Sequence, residues 1–195
     1  MKRTTTSTLF LLISLVIFLF TLHLAPACAA SLRILHVNDF HGFAESHKRL
    51  GSDDVRGGVA CLAYLAETLR KEKPSLLLAA GDMIQGSTWS NLFEGRSVIE
   101  VMNVMRFDAM VVGNHEFDFG KTVLTELTRE ADFPVLGANV TGLDALKPYI
   151  VKEVDGIRVG IIGVVTEETP TATHPRNVEG LTFMPAAKTV ERCIG

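Results

Sequence analysis

Residues 76–87 read LLLAAGDMIQGS. Five apolar or small residues run without a polar break, and a glycine and an aspartate follow at once. An apolar run with no alternation suits a strand buried on both faces. Such a strand belongs in a largely parallel sheet with helices on either side.

The flanking sequence repeats the pattern. Upstream, VACLAYLAETLRKEK (59–73) places Val59, Leu62, Ala63, Ala66 and Leu69 at helical spacing. Arg70, Lys71 and Lys73 suit a helix C-terminus, and Pro74 ends the helix. LRILHVN (32–38) reads as a first strand, and polar GSDDVRGG (51–58) as a loop. Downstream, RSVIEVMNVM (96–105) is helical by period, with Met102 and Met105 as ordinary core residues. AMVV (109–112) is a second buried strand, KTVLTELTREA (121–131) a further helix, and VLGAN (135–139) a further strand. Strand–helix repeats of this kind imply crossovers and an α/β fold. The pattern then changes: YIVKEV and IRVGIIGVV flank Asp155-Gly156, the favoured two-residue hairpin turn. LTFMP (181–185) adds one more candidate strand, and AAKTVERCIG opens a helix.

Ligands of open α/β sheets gather at the carboxyl ends of the strands. Here those ends read Asn38-Asp39-Phe40-His41-Gly42, Ala80-Gly81-Asp82 and Gly113-Asn114-His115-Glu116. Three successive strands thus deliver carboxylate, amide and imidazole groups to one edge. Mixed oxygen and imidazole donors suit Mn²⁺, Fe, Co²⁺ or Zn²⁺. A carboxylate can bridge two such ions, the arrangement used to activate water and clamp a phosphoryl group. The glycines allow tight turns and close backbone approach.

The remaining polar residues have plainer expectations. His36 reads as a packed or hydrogen-bonded core residue, and His47 and His174 as solvent-facing. Asn139 either lines the pocket or forms a turn. Trp89 covers the sheet edge or borders the pocket.

The chain has 195 residues, 47% hydrophobic and 21% charged, as in one ordinary globular domain. Residues 1–30 carry Lys2 and Arg3, an apolar run from Leu9 to Ala25, Pro26 and small residues. That is the plan of a secretory signal peptide, cut after Ala29 or Ala30. The alternative is a retained membrane anchor, or a minor option of lipid modification at Cys28. Membrane contact is expected only through this segment, and only if it stays uncleaved. Its removal takes Lys2, Arg3 and no acidic residue, so the net charge moves from −3 to −5. That balance excludes a nucleic-acid groove, which needs a basic face. The remaining Cys61 and Cys193 are expected unpaired, Cys61 as a buried thiol. The sequence leaves the oligomeric state open.

DFHG (39–42), GDMIQG (81–86) and GNHEFD (113–118) resemble the first three motifs of the calcineurin-like metallophosphoesterases. The resemblance points to the secreted 5′-nucleotidase branch, which also includes 2′,3′-cyclic-nucleotide phosphodiesterases. It covers residue 32 to about residue 195. It implies a partial layered β-sandwich flanked by helices, with two divalent ions (Mn, Zn, Fe, Co or Mg). By that similarity Asp39 and His41 bind the first ion, Asp82 bridges both, and Asn114 binds the second. His115 is the catalytic group beside the phosphate, with Asp118 orienting it. Glu116 is read as structural. The implied substrate is a nucleotide or other small phosphate ester, and the implied location is the periplasm, cell surface or extracellular space.

The family's later Gly-His and Gly-His-x-His motifs have no match after residue 120; the one later histidine lies in THPRN. Residues 31–195 are therefore expected to be the N-terminal portion of a catalytic domain, without a C-terminal nucleotide-specificity domain. On that reading the chain turns over esters very poorly. Its competitors are a non-catalytic remnant that binds a metal or partner, and a hydrolase of sulfur-linked substrates.

Overall fold

The computed structural model describes residues 31–195. The leading segment, with its expected signal peptide and Cys28, lies outside the described residues.

Strand β1 (Arg33–Val37) is followed by β2 (Ser46–Lys48), β3 (Val55–Gly57), helix α1 (Val59–Glu72) and β4 (Ser75–Ala79). Helices α2 (Thr88–Leu92) and α3 (Arg96–Val104) lead to β5 (Ala109–Val111), a 3₁₀ turn (His115–Phe117), α4 (Gly120–Glu130) and β6 (Val135–Leu136). The chain continues through β7 (Val140–Thr141), β8 (Tyr149–Val154), β9 (Ile157–Ile162), α5 (Thr169–Ala172), a second 3₁₀ turn (Pro175–Val178), β10 (Thr182–Phe183) and α6 (Ala186–Ile194).

The main sheet has the order β1-β4-β5-β6 and is parallel throughout. β4 lies inside it, and Leu76, Leu77 and Ala79 are buried, as the unbroken apolar run implies. Each such leucine contributes about 1.5–3 kcal/mol by leaving water. α1 rests on β4, and α3 packs on α4. Their apolar stripes join Met83, Ile84, Met110, Val112 and Phe117 in one core. The expected hairpin forms between β8 and β9. Asp155 (φ 52°) and Gly156 (φ 77°) both take the left-handed conformation that its two-residue turn demands.

Asp108 ties the hairpin to the sheet. Its Oδ1 accepts from Lys152 Nζ of β8 at 2.5 Å, and its Oδ2 from Arg70 of α1 at 2.7 Å and the Leu77 amide at 2.8 Å. Burial pushes the Asp108 carboxyl up, but Lys152, the Leu77 N–H and Arg70 outweigh it and hold it below the usual range.

Several expectations are corrected. The polar stretch 51–58 is not all loop, because Val55–Gly57 pairs antiparallel with Ser46–Lys48. Cys61 is unpaired but exposed. The inward stripe of α1 has Ala66 buried and Leu62 and Leu69 half-buried, and Cys61 and Leu65 fall on the solvent side. His36 is exposed as well. On the edge strand β1, Leu35 and Val37 face the core while Ile34 and His36 alternate to the other side.

Asn139 does not line a pocket; it sits in the expected turn, Gly137 to Val140, closed by the Val140 amide donating to the Gly137 carbonyl at 3.1 Å. It is fully buried, its amide donates to the carbonyls of Val165 at 2.9 Å and Met184 at 3.0 Å, and its oxygen accepts from Val165 N at 2.9 Å. One side chain thus staples three segments. Among the described residues no helix is long and apolar enough to cross a membrane.

Candidate metal centre

The loops after β1 and β4 run side by side beyond the sheet. The amides of Asp39, His41 and Gly42 donate to the carbonyls of Gly81, Asp82 and Met83 at 3.1, 3.0 and 2.9 Å. The paired loops place Asp39, His41 and Asp82 close together, and each adopts positive φ, at 52°, 50° and 56°. This left-handed conformation costs a non-glycine residue about 1–2 kcal/mol, and strain of this kind clusters at functional sites.

Two glycines make the approach possible. A Cβ on Gly113 would overlap Oδ1 of Asp82, and one on Gly86 would stand 2.7 Å from the carbonyl oxygen of His41. Both clashes are too close for any side chain. The β5 end therefore sits directly against the Asp82 carboxylate, and the GDMIQG turn against His41.

Ligand atoms of His41, Asp82 and His115 all lie within 4.8 Å of one another. The His41 and His115 rings meet edge to face with centroids 5.0 Å apart. Nδ1 of His41 is 2.7 Å from the Gln85 carbonyl. A carbonyl only accepts, so Nδ1 carries a proton and Nε2 is the nitrogen left for a metal. Asp82 Oδ1 accepts the His115 amide at 3.0 Å, which aims the carboxylate.

Asp39 stands at the rim. Its side chain is 62% exposed, and its Oδ1 lies 3.9 Å from Nε2 of His41. Its Oδ2 accepts the Asn38 amide at 2.5 Å. Asn114 is half-buried between Gly113 and His115, and its carbonyl accepts from the Phe117 amide at 3.2 Å.

Beside the cluster, Nδ1 of His115 is 2.6 Å from Oδ2 of Asp118. Burial disfavours the imidazolium. The hydrogen bond and charge of Asp118, with the charges of Asp82 and Glu116, outweigh this and raise the His115 pKa above its usual value. Asp118 is held in turn by Thr173 Oγ1, which donates to Oδ1 at 2.6 Å, and by Asn177, whose amide donates to the Asp118 carbonyl at 2.7 Å. Nothing in the sequence singles out Thr173 or Asn177. The one signal near them is His174, which is exposed as expected.

Glu116 lies below these groups and is completely buried. Burial pushes its carboxyl up, while the amides of Met83, Gly113 and Asp82 pull it down; the net direction is upward. Trp89 packs against the core and also lines an open cavity of about 460 Å³ with Phe43, Gly86 and Ser87.

The sequence pattern of the calcineurin-like phosphoesterases matches residues 32–169. The chain belongs to this family. Among curated relatives, a snake venom 5′-nucleotidase of Crotalus adamanteus is 41% identical over 181 residues, which are 86% of this chain and 31% of the relative. The 5′-nucleotidase of Homo sapiens is 40% identical over 166 residues, 77% of this chain and 29% of that protein. The crystal structure of a 5′-nucleotidase precursor from Thermus thermophilus superposes with a TM-score of 0.75 at 32% identity, covering 84% of this chain and 34% of that one. The chain thus spans about a third of the length of these relatives. The α/β architecture expected from the sequence is the one the Thermus thermophilus structure shares.

Proposed function

We propose that this chain contributes the metal-binding edge of a metal-dependent phosphoric-ester hydrolase that acts on nucleotides. The observation that carries this reading is the convergence of His41, Asp82 and His115 beside the His115–Asp118 pair. The donor set fits divalent ions: an imidazole whose Nδ1 is tied to a carbonyl and whose Nε2 is left to coordinate, a central carboxylate, and a second carboxylate and an amide nearby. In this reading Asp39, His41, Asp82 and Asn114 would hold the ions, with Asp39 and His41 serving the first, Asn114 the second and Asp82 shared.

When bound, such ions supply Lewis acidity that activates water and neutralises charge on the phosphoryl oxygens. The chain's own residues do the rest. His115 donates a hydrogen bond to the ester and a proton to the leaving oxygen. Asp118 fixes the ring through Nδ1 and favours its protonated form. Thr173 and Asn177 keep Asp118 in place. The names of the relatives support nucleotides as the substrate class. The basic-then-apolar leader supports export, to the periplasm, cell surface or extracellular space.

The test is phosphate release from a nucleoside 5′-monophosphate, with and without Mn²⁺ or Zn²⁺. The reading expects slow turnover that depends on the metal, disappears with EDTA, and falls at least about 100-fold in Asp82→Asn. Turnover indifferent to EDTA and to that substitution would overturn it. Metal binding without turnover would favour the non-catalytic alternative.

A further inference from the structure

Glu116 takes no part in the chemistry above, yet it is the most deeply buried ionisable group of the site. It shares its surroundings with Ile84, Ile99, Met110, Leu124 and Leu127. A carboxylate among such neighbours is costly unless fully hydrogen-bonded. Here it is. Oε1 accepts from the amides of Met83 at 2.7 Å and Ile84 at 3.4 Å. Oε2 accepts from the amides of Asp82 at 2.8 Å and Gly113 at 2.6 Å.

These donors come from two strand ends. Asp82, Met83 and Ile84 follow β4, and Gly113 follows β5. One carboxylate therefore bolts the loop that carries Asp82 to the turn that carries Asn114 and His115. Its bond to the Asp82 amide fixes a residue whose φ of 56° is otherwise unfavourable. The spacing it sets also allows the His115 amide to reach Asp82 Oδ1 at 3.0 Å.

We propose that Glu116 is a positioning residue for the metal centre: it holds Asp82 in register with His115, so that the site is formed before any metal arrives. This rests on the metal-site reading above. Hydrogen-bonding capacity separates this role from plain packing. A carboxylate offers two oxygens that accept four N–H groups, whereas an amide offers one oxygen and an NH₂ that only donates. Glu116→Gln therefore serves one pair of amides and opposes the other, although its size is unchanged. An apolar packing role would tolerate that change.

The experiment is titration calorimetry of Mn²⁺ and of Zn²⁺ into the full chain, for the wild type, Glu116→Gln and Asp82→Asn. It is paired with thermal unfolding in EDTA, and binding is referred to the folded fraction. The expected result is metal affinity weakened about 10–100-fold in Glu116→Gln, the usual effect of losing an outer partner of a ligand. Unchanged affinity in folded Glu116→Gln, with lowered thermal stability alone, would overturn the proposal and leave the metal site standing. A wild type that binds neither ion, or binds both equally well as Asp82→Asn, would instead overturn the metal-site reading and the proposal with it. Should Glu116→Gln fail to fold, amide exchange of the wild type in EDTA decides the matter. Slow exchange at Asp82, Met83 and Gly113 before metal is added supports a preformed site, and protection that appears only with metal contradicts it.

Discussion

Asp118 holds Nδ1 of His115 through Oδ2 at 2.6 Å and takes a hydroxyl from Thr173 on its other oxygen at 2.6 Å. Asp118 is therefore the middle of a three-residue relay that begins 55 residues downstream, at Thr173. Thr173 and Asp118 support the ring, and in the proposed reading only His115 meets the ester.

If His115 protonates the leaving oxygen, the relay matters most where that oxygen is a poor leaving group. Asp118→Asn is expected to slow hydrolysis of a nucleoside 5′-monophosphate by about 100-fold. The same variant should slow a p-nitrophenyl ester far less, because nitrophenolate departs without a proton. Thr173→Val should act in the same direction but less, by about tenfold, since a hydrogen bond to a charged group contributes about 1.5–3 kcal/mol. Steady-state rates on the two esters check both. Equal losses on both esters would remove the proton-donor role.

The Asp108 network makes a prediction about acid. Its folded pKa lies below the unfolded value of about 3.9. The unfolded chain thus binds more protons across this region, and stability rises with pH. The contribution of Asp108 is present above about pH 4 and is lost as pH falls through the lower folded pKa. Asp108→Asn should lower stability at neutral pH by about 1–3 kcal/mol, because Lys152 and Arg70 lose a half-buried partner. It should also flatten the acid limb. Urea unfolding at several pH values measures both effects.

Asn139→Ala strips partners from buried groups of Val165 and Met184. Each unsatisfied buried group costs about 1–3 kcal/mol. A loss of about 3 kcal/mol, read as a melting temperature lower by about 10 °C for a domain of this size, is expected in a thermal scan. An unchanged melting temperature would show that water or a local shift takes over the role of the amide.

Much of this architecture is legible in the residues. LLLAA and AMVV declare buried strands because nothing polar interrupts them, and Asp155-Gly156 declares a hairpin because both positions need positive φ. The candidate ligands are visible because each follows a strand directly. Other features depend on contacts that no local pattern encodes. The β2–β3 hairpin is exposed at all six positions, so it has no apolar alternation to reveal it. Asn139 looks like any strand-end asparagine until Val165 and Met184 close around it. Thr173 and Asn177 reach Asp118 across 55 and 59 residues of chain. Glu116 sits in a motif yet has no legible task, because its partners are backbone amides and backbone amides have no sequence signature.

The metal centre carries the whole account, and anomalous X-ray scattering from crystals soaked in Mn²⁺ or Zn²⁺ tests it directly. The expected result is a peak at the His41–Asp82–His115 edge, with Nε2 of His41 and a carboxylate oxygen of Asp82 about 2.0–2.2 Å from the ion, and no such peak in crystals of Asp82→Asn. Ions bound elsewhere on the chain, or a peak that persists without the Asp82 carboxylate, would contradict it.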